Sequence, residues 1–145
     1  MLSAAAIQVS IRSVPFSPWQ ELDAWGGDAA ASAQFIGRVR GQTIDGRPLK
    51  ALELEHYSGL SERSIEHLAK KFLHEHQSLR ALVVHRVGHL VPSEVIVLVA
   101  VQADRRGPAQ RCCAALLEAL KHEAPFWKRE WCGDQGNWLV GNTPL

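Results

Sequence analysis

Cysteine is scarce in this sequence: Cys112, Cys113 and Cys132 are the only three, an odd number with no C-x-x-C spacing. That argues against a disulfide framework and fits a reducing, cytoplasmic setting. Excess charge of one sign is lacking too. The net charge is +1, so no global field draws the chain to nucleic acid or a membrane surface, and any functional charge is local. Long apolar runs are missing. Met1–Ile11 is too short and too polar for a leader or a span, and the most apolar stretch, Val95–Val101, has the length of a strand. No repeat, low-complexity tract or Pro/Gly/Ser linker divides the chain, so one domain over residues 1–145 is expected. No G-x-G-x-x-G, P-loop or G-x-S-x-G elbow occurs. The one close histidine pair, His74-x-His76, sits at i and i+2 of a helix, where side chains do not face each other. With no cysteine or carboxylate at ligand spacing, neither a metal site nor a cofactor is expected.

What is present alternates strand and helix patterns. Ile7–Ile11 reads as a strand, and Ser17 caps a short helix that runs through Trp25 to a stop at Gly26-Gly27. Ala33–Arg40 reads as a second strand. Leu49–Tyr57 is a third, with Leu52 and Leu54 alternating against Glu53 and Glu55. Ser61 is positioned to cap a helix whose apolar face is Ile65, Leu68, Ala69, Phe72 and Leu73. Leu79–Val87 is a strand, Gly88 to Pro92 a turn region, and Val95–Val101 a central strand apolar on both faces. Gly107-Pro108 opens a helix with the face Ala109, Cys112, Cys113, Leu116 and Leu120, and Pro125 stops it. Phe126–Cys132 and Asn137–Val140 close the pattern around Gly133–Gly136. The fold class expected is α+β: a mixed, largely antiparallel sheet packed with two long helices.

Four segments could carry chemistry. On a strand, Arg38 and Arg40 project to one face, beside Gly37. They are either a fork for phosphate oxygens or two solvated arginines. Asp104-Arg105-Arg106-Gly107-Pro108 lies where a central strand hands over to a helix N-terminus, so its arginines either reinforce an anion site or are merely solvated. Lys121 falls in the last turn of that helix, where a cation is favoured by the dipole in any case. Lys128 lies on the following strand and points opposite to Trp127 and Arg129. If the two lysines converge, each makes the other costlier to charge and draws its pKa toward neutrality, as an anion-binding or proton-transferring pair requires. His85, on the face of Val83 and Val87, reads as a hydrogen-bonded core histidine, and Arg86 as an ion-pair residue. Most of the five tryptophans read as core, while Trp127 and Trp131 could also flank a flat ligand or a partner's tail. An RNA-binding α+β domain is the weakest reading, because charge is near neutral and no aromatic stacking motif is present.

In order along the chain come Phe35-x-Gly37-x-Val39-Arg40, Leu52-Glu53-Leu54-Glu55-His56-Tyr57, Val84-His85-Arg86-Val87-Gly88, Lys121, and Ala124-Pro125-Phe126-Trp127-Lys128-Arg129-Glu130. This series resembles the large, catalytic subunit of molybdopterin synthase, from about Phe35 to Trp138. The resemblance implies a hammerhead-like α/β fold and a sulfurtransferase of molybdenum cofactor biosynthesis. The substrate would be cyclic pyranopterin monophosphate. A small ubiquitin-like subunit would thread a C-terminal Gly-Gly thiocarboxylate into the pocket, and two sulfurs would be delivered in turn to make the dithiolene. A homodimer of large subunits within a heterotetramer is implied. Carried over by motif, Lys121 and Lys128 are the catalytic residues. Arg38, Val39, Arg40, Arg105, Arg106, Arg129 and Glu130 join them in binding substrate. The family commonly has His-Arg where this chain has Arg105-Arg106, which turns position 105 from proton transfer toward anion binding. Relatives often carry a longer tail beyond the position of Trp138. A non-catalytic module that binds a ubiquitin-like partner is the alternative.

Overall fold

The computed structural model describes residues 6–56, 59–124 and 126–139. Eight strands form two four-stranded sheets, where the sequence pattern predicts one. In the first, β1 (Ile7–Arg12), β4 (Arg80–Arg86), β6 (Val95–Ala103) and β2 (Ala31–Arg38) lie in the order β1-β4-β6-β2. Only the β1–β4 pair is parallel. In the second, the order is β5 (Gly88–Leu90), β3 (Ala51–His56), β7 (Phe126–Cys132), β8 (Gln135–Trp138), all antiparallel. The fold is α+β, with three helices: α1 (Pro18–Trp25), α2 (Leu60–Glu75) and α3 (Arg106–Glu123).

Central β6 explains why its sequence is apolar throughout. Val97, Val99 and Val101 face α2 and α3, and pack with Ile65, Leu73, Cys112 and Leu116. Leu98 and Ala100 face the other way and meet Trp25 of α1. A fully buried aliphatic side chain of this kind contributes roughly 2 kcal/mol, so the two-sided core fixes the first sheet. Helix α1 is tied down from both ends. Arg12 makes two bonds to the Glu21 carboxylate, at 2.7 and 2.9 Å. At the other end, Arg80 and Gln102 both donate to the Gly26 carbonyl, at 3.2 and 2.8 Å.

Among the boundaries that differ from the sequence pattern, three bear on the site; in addition, β2, α3 and β8 each begin one or two residues earlier than expected. Strand β2 stops at Arg38, with a register shift between Gly37 and Arg38. Val39 leaves the ladder to exchange backbone bonds with Glu94 and Ser93. The alternation expected to set Arg38 beside Arg40 therefore does not run through both. Helix α2 is capped by Gly59, not by Ser61. Gly59 adopts φ 81°, and the Glu62 side chain accepts from its N–H, so a carboxylate three residues on supplies the cap. Ser61 is fully buried inside the first turn. Gly88–Leu90, expected as a turn, is instead β5 against β3. With Gly88 at φ +95°, the chain passes at Val87 from the first sheet to the second. The expected stop at Pro125 and the ends of the strands at Tyr57 and Val140 lie outside the described residues.

Candidate active site

The passage from β4 to β5 places His85, the next-to-last residue of β4, beside the first residue of β7. The His85 and Phe126 rings stack at 4.0 Å between centroids and 9° between planes. His56, the ladder partner of Phe126 on β3, also stacks with it, at 6.3 Å between centroids. Strand alternation then puts Lys128, two residues after Phe126, on that same face, opposite Leu54 in the ladder. Lys121 reaches the spot from the last turn of α3. Elements of both sheets and the end of one helix thus converge on two lysines and two histidines.

Electrostatics follow from that crowding. Burial holds the Lys128 ammonium below its ordinary pKa, and the positive charge of Lys121 adds to the effect. His85 is 7% exposed, and burial is the main reason its pKa is pushed down to about 4. The bond to the Arg86 carbonyl works against that shift, while the charges of Lys128, Lys121 and His56 add to it. His85 Nδ1 lies 2.7 Å from the Arg86 carbonyl oxygen. A carbonyl only accepts, so Nδ1 carries the proton and the neutral ring keeps its lone pair on Nε2. The site therefore combines a desolvated amine, a second cation and a neutral imidazole. Such a set can stabilise a developing anion and move a proton.

The remaining expected site residues fall into three groups. Glu130 shares Lys128's face by alternation and is half-buried. Arg129 projects to the opposite face. Its guanidinium lies 3.7 Å from Glu53 and 3.9 Å from the centre of the Trp138 ring, with Trp131 beyond at 5.4 Å. A groove of about 310 Å³ opens near that side, lined by Glu55, His56, Trp127 and Trp138. Arg38 and Arg40 are exposed. The Val39 side chain is buried with Leu49, Leu52, Leu54 and Leu90, and its backbone N–H and carbonyl are bonded to Glu94 and Ser93. Space at Gly37 is tight: an added Cβ would lie 3.1 Å from the Phe35 ring and 3.2 Å from Val97, so those side chains would have to give way slightly.

Arg105 and Arg106 lie far from the lysines. They stand at the N-terminus of α3, in an open cleft of about 680 Å³ whose lining also includes His76, Asp104 and Arg111. Lys121 is at the helix's other end, fifteen positions on from Arg106. Within one chain the arginine cleft and the lysine cluster are separate places. Sequence reasoning missed Arg111 and His76 in the cleft and His56 beside Phe126. It read His85 correctly as core without placing it next to the lysines. The signals were present in part: His56 is a polar exception on the apolar face of β3, and Arg111 follows Arg106 by about a turn and a half. Among the described residues no cluster of three or more histidine, cysteine or acidic side chains could hold a metal, and no helix is long and apolar enough to cross a membrane.

Comparison with known proteins identifies the family. The family model described as MoaE protein matches residues 11–123. A molybdopterin synthase catalytic subunit from Ralstonia nicotianae is 41% identical over 109 residues, covering 75% of this chain and 61% of that relative. This chain thus spans less than two thirds of the Ralstonia protein. One from Vibrio cholerae is 34% identical over 134 residues, covering 91% of this chain and 89% of the relative. Among solved structures, the molybdopterin biosynthesis MoaE protein from Burkholderia ambifaria superimposes with a TM-score of 0.78 at 34% identity, over 94% of this chain and 91% of that one.

Proposed function

The chain belongs to the MoaE protein family, and on that premise we propose that it is the catalytic subunit of a molybdopterin synthase in which Lys121 and Lys128 carry the chemistry. Sulfur passes from the C-terminal thiocarboxylate of a small ubiquitin-like subunit ending in Gly-Gly to cyclic pyranopterin monophosphate. Two such transfers make the dithiolene, and the cyclic phosphate opens on the way. The reaction takes place in the cytoplasm, on a single domain over residues 1–145 with the hammerhead-like arrangement and two long helices of the family.

The observation that carries this reading is the half-buried Lys128 amine, opposite Leu54 in the ladder and under the influence of Lys121's charge. Each transfer produces a charged intermediate and needs a proton moved at the pterin. A fixed cation supports the first requirement and an amine of lowered pKa supports the second. Substrate phosphate calls for further cations. Arg38 and Arg40 are exposed near the end of β2, and Arg105 and Arg106 frame the α3 cleft. Arg129 and Glu130 complete the wall on either face of β7.

The separation of Arg106 from Lys121 favours the homodimeric core expected from the sequence. A helix rises about 1.5 Å per residue, so the two ends lie roughly 22 Å apart along α3. One substrate cannot meet both ends in a single chain. In a twofold dimer, Arg106 of the partner subunit can approach the Lys121 cluster of the first, and two equal sites result. A small subunit on each then gives the heterotetramer.

The test is mass spectrometry of the products after mixing this protein with thiocarboxylated small subunit and the precursor. Molybdopterin is the expected product. Tight binding of the small subunit with no product would instead identify a non-catalytic module.

A further inference from the structure

His85 belongs to the lysine site's surroundings, yet nothing in the sulfur-transfer chemistry requires it. Its side chain is nonetheless heavily constrained. The ring is almost fully buried, its Nδ1–H is committed to the Arg86 carbonyl, and its face lies flat on Phe126. The backbone beneath it is fixed on both sides. In the ladder, His85 stands between Ile11 of β1 and Val97 of β6. Arg86, next along, is buried and paired with Glu94 at 2.7 Å. His85 is therefore an immobile part of the first sheet, whereas Phe126 and Lys128 belong to the second.

We propose that His85 is a positioning residue for the lysine pair: its ring, locked by the Arg86 carbonyl, is the surface against which Phe126 seats, and that seating sets where Lys128 stands relative to Lys121. The argument is geometric. Lys121 rides on α3, which packs on the first sheet through Leu116 and Leu120. Lys128 rides on β7 of the second sheet. The distance between them is fixed only as well as the two sheets are fixed to each other at this point. The His85–Phe126 stack is a direct contact between the sheets two residues from Lys128. A neutral ring is needed there. The charged groups facing His85 are Lys121 from α3 and Lys128 from β7, with His56 facing it from β3. No carboxylate is among these influences to offset an imidazolium, so a charged ring would repel the ammonium groups it is meant to gather.

The inference rests on reading Lys121 and Lys128 as the reacting pair, but it can be tested without turnover. His85→Asn keeps a donor for the Arg86 carbonyl and loses the flat ring. His85→Phe keeps a flat ring and loses the donor. The reactivity of Lys128 toward an amine-acylating reagent is followed against pH by peptide mass spectrometry on wild type and both variants. Far-UV circular dichroism and thermal melting confirm that each is folded. In wild type, Lys128 titrates below the ordinary lysine range. In His85→Asn its midpoint should move up by roughly one pH unit, and His85→Phe should recover most of that shift. With thiocarboxylated partner and precursor, kcat should fall roughly tenfold in the Asn variant with KM little changed, and the Phe variant should again recover. An unmoved Lys128 midpoint in folded His85→Asn overturns the proposal, as does a loss in His85→Phe as large as in His85→Asn. Should wild type make no product, the sulfur-transfer reading fails while the Lys128 titration still decides the role of His85.

Discussion

Arg106 opens helix α3 and Lys121 lies in its last turn, so one rigid element holds the arginine end and the lysine end of the proposed site apart. If a site combines the two ends from different subunits, two inactive variants can repair each other. Arg106→Ala and Lys121→Ala homodimers should each be nearly inactive. After subunit exchange, a mixed dimer has one site with both residues and one with neither. An equimolar mixture should then recover about a quarter of wild-type activity by random pairing. Recovery is read from molybdopterin formation before and after exchange, and none would mean that each site is built from one chain.

Lys128 makes a second prediction because its stability and activity effects oppose each other. Its folded pKa is lowered from 10.5. Between the folded value and 10.5 the unfolded chain therefore binds more protons, and stability rises with pH across that window. Lys128→Met removes the half-buried charge and should raise Tm by a few degrees at neutral pH, with a flatter stability profile on the alkaline side. Sulfur transfer should drop by roughly a hundredfold or more. Calorimetry and product assays on the same preparation check both halves.

The Arg86–Glu94 pair behaves differently. The Arg86 side chain is 4% exposed and has Glu94 Oε2 at 2.7 Å. Glu94→Ala leaves that guanidinium buried without its counter-ion and should cost about 3 kcal/mol in urea unfolding. The Val91 N–H, followed by Arg86, holds the Glu94 carboxyl below its ordinary 4.5. Its folded pKa is depressed, so its contribution is complete above 4.5 and is lost as pH falls through the lower folded value. The variant should lack that part of the acid transition.

Gly27 tests the lock on α1. At φ +94°, an added Cβ would fall 2.2 Å from Arg80 Nη1 and 2.3 Å from Gln102 Oε1. Gly27→Ala must break the bonds that hold the Gly26 carbonyl, and should destabilise by about 2 kcal/mol. Because α1 covers the face of the first sheet away from α2 and α3, kcat below the melting range should not change.

Most strands and helices were legible because their side-chain periods are strong. The doubly apolar Val95–Val101 run, the face Ile65 to Leu73 and the Ser17 cap each name their own element. The division into two sheets was not legible. It depends on Gly88, which lets three residues after β4 join another ladder instead of turning back, and a lone glycine reads as a turn in sequence. The cap at Gly59 was hidden for a related reason, since its side-chain partner Glu62 lies three residues on. Lys121 and Lys128 could be chosen from their motif, and strand alternation correctly turned Lys128 away from Arg129. Alternation could not say which strand would pair with β7 or what lay across the sheet boundary, so His56 and His85 remained unconnected to the lysines. The helix pattern, by contrast, already set Arg105 and Arg106 at one end of α3 and Lys121 at the other.

The pairing of β3 with β7 also governs when the site can come into being. Leu54 and Lys128 are ladder partners, although more than half the chain lies between them. Closing so long a loop is entropically slow, and contacts of this separation form after local helices and hairpins. The arginine cleft is no more local: Ala30 and Ala31 at the start of β2, and Glu75, His76 and Gln77 at the end of α2, line it beside the start of α3, and Ala31 meets Ala103 across a comparable stretch of chain. Neither place can therefore exist before the long-range ladders close, and during folding the arginine cleft and the lysine pocket should be acquired together rather than one after the other.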